Sequence, residues 1–233
     1  MDNCRFCPEL NNQPNDFDKI TNHIFRTRFI RESPNFVVFP TLGSLQVGHL
    51  LIVPKGHFLS FGHMNNVLFD EAETLLEDTR QILETTFHKS VIFFEHGTLS
   101  NHSRGGCCID HAHIHAIPAD VNLTRKLNET YLSQTINYLH ELTRPIMNSS
   151  SYLFYEHSDR SRYLYNAPMV VSQYLRQLLA IELQIPEEWN WRTETNLERL
   201  ELTLEKLRPW SNVKGLLDFS RVENNPVPIC ALE

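Results

Sequence analysis

Three histidines stand at positions 111, 113 and 115, in the stretch Asp110-His111-Ala112-His113-Ile114-His115-Ala116-Ile117-Pro118. One apolar residue separates each from the next, and strict alternation of this kind predicts a half-buried strand. Side chains two apart on a strand leave the same face, spaced by about 6–7 Å. Three imidazoles therefore line one face, while Ala112, Ile114 and Ala116 pack the other. Buried imidazoles in a row are costly unless they are solvated, paired or ligated. Neutral imidazole can serve as a metal ligand, a base or a nucleophile, so the strand is the first place to look for chemistry. The Gly-rich turn Gly105-Gly106-Cys107-Cys108 leads into it.

A second chemical group opens the chain, Cys4-Arg5-Phe6-Cys7. Two sulfurs at this spacing are half of a zinc site, but they cannot complete a tetrahedral shell alone. No second C-x-x-C follows, so any zinc must take its other ligands from histidines farther along; otherwise the pair is idle. A redox role needs a βαβ context, and no such start is visible.

The chain has 233 residues, 41% of them hydrophobic, with 21 basic and 28 acidic residues and a net charge of −7. That length and apolar content suffice for a buried core. The acidic balance argues against a nucleic-acid partner, which favours a basic surface. It leaves room for a small anion held by a local positive field. The opening residues are polar, and no apolar run approaches the ~20 residues of a membrane span. The expectation is a cytoplasmic protein with no membrane partner, whose five cysteines are thiols or ligands.

The elements that must position these residues can be read around them. Ile24–Ile30 is a candidate strand, Phe36–Pro40 a clear one, and His49–Val53 another, introduced by Gly48 and stopped by Pro54-Lys55-Gly56-His57. A helix is predicted from about residue 66 to 89, with an apolar stripe through Leu68, Ala72, Leu75, Leu76, Thr79, Ile82, Leu83 and Phe87. Val91–Phe94 is a further strand before the histidine segment. Residues 122–142 step like a helix, with Leu127, Leu132, Ile136 and Leu139 inward. Tyr152–Tyr155 and Tyr163–Tyr165 flank a turn and predict a hairpin. Helices are expected over 169–184 and around 196–207. The fold class is α+β. An antiparallel sheet with helix cover forms a catalytic domain over 1–120, and a mostly helical region with a β-hairpin, 121–233, packs on it.

His111-x-His113-x-His115 resembles the signature of the histidine triad superfamily of nucleotide hydrolases and transferases. Val47-Gly48-His49-Leu50-Leu51-Ile52-Val53-Pro54-Lys55-Gly56-His57 is similar to that family's Gly-His strand ending in Pro-Lys-x-His, and the opening C-x-x-C resembles its zinc-bearing branch. The match covers about residues 1–120. The resemblance implies that His113 is the nucleophile, attacking the α-phosphorus of a nucleotide to give a nucleotidyl-histidine intermediate. It implies that His115 and His49 contact the phosphate or position the leaving group. Gly106, Cys107 and Cys108 would offer backbone N–H groups to the phosphate. Thr41 falls where many members have Asn or Asp for the ribose hydroxyls. The zinc-bearing branch implies a closed, structural Cys4, Cys7, His57, His111 shell.

The implied activity is hydrolysis of nucleotide conjugates such as dinucleoside polyphosphates. A nucleotidyltransferase or phosphorylase using the same intermediate is the alternative, and a non-catalytic zinc-stabilised nucleotide binder a third. The family commonly pairs two domains across a sheet edge, so a homodimer and a monomer with that edge covered by the C-terminal region both stand. Glu95-His96-Gly97 stands where several members carry an amide. A carboxylate there is unfavourable near phosphate unless it is protonated, paired or turned away. His23, His63, His88, His96, His102, His140 and His157 are expected at the surface or at helix ends, and Trp189 and Trp191 in the core. Gln173 and Arg176, one turn apart, are expected on a solvated helix face, the alternative being that they reach the phosphate side.

Overall fold

The structure is a computed structural model that describes residues 4–22, 27–99 and 110–213. In chain order the elements are α1 (Phe6–Leu10), α2 (Asp16–Ile20), β1 (Arg31–Glu32), β2 (Phe36–Pro40), β3 (Leu50–Pro54), α3 (Phe69–Phe87), β4 (Val91–Gly97) and β5 (Ile114–Pro118). They continue with α4 (Thr124–Thr130), β6 (Ser133–Ile136), α5 (Thr143–Met147), β7 (Tyr152–Glu156), β8 (Arg162–Asn166), α6 (Tyr174–Glu182) and α7 (Leu197–Leu207). The eight strands form one sheet in the order β1-β2-β3-β5-β4-β7-β8-β6, and every neighbouring pair is antiparallel. The fold is α+β.

Alternation along the strands sorts the sheet into two faces. Phe36, Val38, Leu50, Ile52, Phe93, Ile114 and Ala116 pack with the apolar stripe of α3 and with Leu200, Leu204 and Leu207 of α7. The opposite face splits. Val37, Phe39, Leu51 and Val53 lie under α1 with Cys4 and Phe6, while Ile92, Phe94, Leu153 and Tyr155 lie under α4 and α6. Between those two covers His113 and His115, just before and on β5, reach the lining of a cleft. Ala112, Ile114 and Ala116 join the α3 core as the alternation required.

β4 is paired on both sides, with β5 on one and β7 on the other. Strands on either side of residue 121 thus share one sheet. The β7–β8 hairpin is locked to α3 by a buried ion pair between Arg80 and Glu156, with Arg162 Nε donating to the same carboxylate at 2.6 Å.

Three expectations differ from the structure. The helical stepping of 122–142 holds only through α4. Pairing of β6 with β8, from Ser133↔Tyr165 to Ile136↔Arg162, then takes over. Leu132, expected inward, is 87% exposed at the break. The helix expected from 169 begins only at Tyr174, after Gln173 in a left-handed conformation at φ +60°. Near 24–30, residues 24–26 lie outside the described residues, and the strand that forms is Arg31–Glu32, extended by Ile30 N–H donating to Val38 O. No helix among the described residues is long and apolar enough to cross a membrane.

Candidate active site and metal cluster

Four side chains from three places in the chain converge at the N-terminal end of β5. Cys4 precedes α1, Cys7 sits within it, His57 follows the Pro54 end of β3, and His111 precedes β5. Their donor atoms all lie within 4.8 Å of one another. Cys4 Sγ is 3.3 Å from His111 Nδ1, Cys7 Sγ is 3.3 Å from His57 Nδ1, and Cys7 Sγ is 3.7 Å from His111 Nδ1. A tetrahedral zinc with bonds of about 2.0–2.3 Å would place its ligands roughly 3.3–3.8 Å apart, so the spacing fits. His111 Nε2–H donates to Pro54 O at 2.8 Å, which leaves the Nδ1 lone pair facing the sulfurs. Burial pushes the Cys7 thiol up to about 11, with the neighbouring Cys4 adding to the effect. Burial pulls His111 down to about 4, the unprotonated form that ligates. These residues could hold a metal.

His113 lies two residues on. Its Nδ1–H donates to the backbone carbonyl of His111 at 2.7 Å, so the remaining lone pair is on Nε2. A second chain of hydrogen bonds fixes the other two imidazoles. Leu45 N–H donates to His49 Nδ1 at 3.2 Å. His49 Nε2 therefore carries the hydrogen and donates to His115 Nδ1 at 2.8 Å. His115 Nε2 must then carry a hydrogen of its own. The result is one acceptor nitrogen on His113 and one donor nitrogen on His115, on rings 5.0 Å apart. Phe94 stacks on His115 at 4.4 Å and 15°, and Phe6 meets His113 edge-on at 5.8 Å. All three imidazoles are held below their ordinary range, chiefly by burial and also by the Arg176 charge. Neutral rings at pH 7 match the tautomers derived from the hydrogen bonds.

His113 and His115 line a cleft of about 840 Å³ of empty space, open to solvent. Phe6, Phe17, Ile20, Thr41 and Leu42 from the first part of the chain and Gln173, Tyr174, Leu175, Arg176 and Trp191 from the last part join them on the lining. Thr41 has its hydroxyl donating to Leu42 O at 2.9 Å. Arg28, also on the lining, gives Glu9 a bidentate pair at 2.8 and 2.7 Å. The turn at Gly43 packs directly on Trp191. Its φ is +65°, and a Cβ there would stand 2.4 Å from Trp191 Cβ, so only glycine fits.

The structure moves several residues into the site that the sequence reading placed elsewhere. His96, expected at the surface, lies on the cleft face of β4. The β4–β5 register pairs Phe94 with His115, and two steps further it sets His96 beside His113. Burial pulls His96 down to about 4. Gln173 and Arg176, expected on a solvated face, are on the cleft wall, and Arg176 is 4% exposed. Leu175, Arg176, Leu179 and Ala180 form one buried stripe, and that Leu-Arg-x-x-Leu-Ala pattern was the signal for it. Trp191 is in the core as expected, clustered with Phe17 and Leu42, and one edge of it also lines the cleft, with the Arg5 guanidinium 4.9 Å from its ring centre. Glu95 faces away, on the α3 side, where it accepts from Phe61 N–H at 2.8 Å and Tyr152 O–H at 2.6 Å. Gly106, Cys107 and Cys108 lie outside the described residues, as does His102.

No family model and no curated protein matches the chain. Solved structures that resemble it include a HIT family protein from Bacillus anthracis, at 19% identity over 50% of this chain and 73% of that one, with a TM-score of 0.40. A HIT family hydrolase from Clostridium thermocellum matches at 16% identity over 52% and 96%, with a TM-score of 0.33. Yeast Ap4A phosphorylase Apa2, solved in complex with AMP, matches at 9% identity over 68% and 62%, with a TM-score of 0.42. Likenesses at this level say nothing of what this chain acts on. The antiparallel sheet, the His-x-His-x-His segment at its centre and α3 behind it are the elements expected from the sequence.

Proposed function

We propose that this protein is a histidine triad enzyme that acts on the α-phosphate of a nucleotide conjugate, such as a dinucleoside polyphosphate, through a nucleotidyl-histidine intermediate. The observation that carries this is the tautomer of His113. With Nδ1–H committed to His111 O, Nε2 is a neutral nucleophile beside an open cleft. In the first step Nε2 forms a bond to phosphorus and the bond from phosphorus to the leaving oxygen breaks, its electron pair departing with the leaving group. His113 then carries positive charge, and the His111 carbonyl that already accepts from Nδ1–H is placed to favour it. His115 Nε2–H donates to a phosphate oxygen. In the second step water attacks the same phosphorus, the P–Nε2 bond breaks with its electron pair returning to Nε2, and the water gives up a proton to solvent.

Backbone N–H groups of the Gly106-Cys107-Cys108 segment would face the phosphate, and Thr41 the ribose. Cys4, Cys7, His57 and His111 would hold a structural zinc, whose contribution is to fix the His111 backbone. The protein would work in the cytoplasm on small nucleotides, with no nucleic acid or membrane as partner.

Hydrolysis is the first reading. Transfer to an acceptor other than water is the second, favoured by the residues of the C-terminal region that line the cleft and could shape a site for that acceptor. Residues 1–120 would supply the chemistry and 121–233 that site. Rapid-quench mixing with α-labelled diadenosine tetraphosphate tests the proposal. The expected result is labelled protein that is acid-labile, and that is lost in His113→Ala. Nucleotide binding with no adduct in the wild type would instead make this a non-catalytic binder. Adding inorganic phosphate or a sugar phosphate separates transfer from hydrolysis.

A further inference from the structure

A guanidinium from the C-terminal region reaches the cleft that holds His113. Arg176 lines the same cleft as His113 and His115 and is 4% exposed. Its Nε–H donates to Trp189 O at 2.9 Å and its Nη2 to Gly43 O at 2.6 Å, so its position is fixed from both sides. Its charge is felt by His49, His113 and His115 alike. Any group bound over His113 Nε2 enters that field.

We infer that Arg176 is a specificity-determining residue that holds the anionic leaving group, so that the site selects phosphoanhydride conjugates over phosphoramidates. This rests on the reading of His113 as the nucleophile. When Nε2 attacks a phosphoanhydride, the P–O bond breaks and the electron pair leaves on a phosphate oxygen, which gains negative charge. A guanidinium is a fixed cation with directional donors for such an oxygen. When Nε2 attacks a phosphoramidate, the P–N bond breaks, the nitrogen takes a proton from solvent, and the amine departs without negative charge. Arg176 therefore assists the first departure more than the second. A merely structural Arg176, tying the Gly43 turn to the Trp189 turn, would serve both reactions equally. That turn leads to Leu45, whose N–H sets the His49 tautomer.

The test compares diadenosine tetraphosphate with adenosine 5′-phosphoramidate, using the full chain and the variants Arg176→Gln and Arg176→Lys. For Arg176→Gln, kcat/KM on the tetraphosphate is expected to fall about 10- to 100-fold more than on the phosphoramidate, the size of a lost charged hydrogen bond. Arg176→Lys restores much of the loss. Equal losses on both substrates, or none on the tetraphosphate, overturn the inference. If Arg176→Gln does not fold by circular dichroism, Arg176→Lys decides. A folded Lys variant keeps the tetraphosphate preference if the charge is what matters, and loses activity on both substrates alike if only the tie does. If the wild type turns over neither substrate, the His113 reading has failed, and calorimetric titration with inorganic pyrophosphate still tests the anion site. Binding about tenfold weaker in Arg176→Gln supports it, and equal binding overturns it.

Discussion

Glu95 offers the sharpest test of the electrostatics beneath the site. Its carboxylate is 2% exposed, on the α3 side of the sheet. Burial lifts it from the ordinary 4.5 to about 7, against the opposing pull of the Tyr152 hydroxyl, the Phe61 N–H and His113. The sign follows from linkage. The unfolded chain releases this proton near 4.5, whereas the folded chain holds it until about 7. The folded state is therefore favoured relative to the unfolded one at low pH, and this contribution is lost as pH rises from 4.5 to about 7. At about 1.4 kcal/mol per tenfold change in ionisation, the whole loss is about 3 kcal/mol. Glu95→Gln mimics the protonated carboxyl. Its carbonyl accepts from Phe61 N–H, and its N–H donates to the Tyr152 oxygen, which already accepts from Gly62 N–H at 2.9 Å. Urea unfolding of the two proteins at pH 5, 6, 7 and 8 gives the comparison. The variant is expected to match or trail the wild type at pH 5 and to gain on it progressively, reaching an advantage of up to about 3 kcal/mol by pH 8. A stability difference that stays flat across this range would show that the carboxylate is ionised throughout, and the burial argument would fail.

Two further outcomes follow from the packing. Chelation of the purified protein is expected to release about one metal ion per chain and to lower Tm by several degrees, while leaving nucleotide affinity little changed, because the four donors fix backbone and not substrate. A chain that holds no metal and melts at the same temperature with chelator would remove the metal from the account. Gly97→Ala should destabilise by at least about 2 kcal/mol in urea unfolding, since overpacking at a fixed neighbour costs this much or more. A Cβ at Gly97 would meet the Tyr152 ring at 2.1–2.6 Å, and that ring is pinned by the bond of its hydroxyl to Glu95.

The parts of the site legible in the sequence are those whose meaning is set by local spacing. His111, His113 and His115 declare a shared strand face by alternation. His49 and His57 declare the two ends of another strand through Gly48 and Pro54. Cys4 and Cys7 needed partners, and His57 and His111 are the ones the fold brings. What was not legible depends on which face of an element meets which neighbour. His96 is one of two adjacent polar residues on β4. Its partner Glu95 turns to α3 and His96 to the cleft, and only the β4–β5 register decides between them. Arg176 looks solvated from its charge, but the stripe it shares with Leu175 and Leu179 is buried. Residues 133–136 carry enough helical stepping to mislead, because pairing with β8 outweighs local propensity.

His111 joins the two halves of the site. Its ring presents Nδ1 to the two sulfurs and Nε2–H to Pro54 O, while its carbonyl takes the Nδ1–H of His113. Phe6, held between Cys4 and Cys7, meets both rings edge-on at 5.8 Å. Rotation of the 111–112 peptide would therefore disturb the candidate metal ligand His111 and the tautomer of His113 together. If that carbonyl turned away, His113 could carry its hydrogen on Nε2 instead, and the ring facing the cleft would be a donor with no lone pair to attack phosphorus. The cluster thus needs no contact with substrate to matter. On the proposed reading, a metal that clamped this peptide would keep the proton on Nδ1 of His113 and leave Nε2 bare for attack.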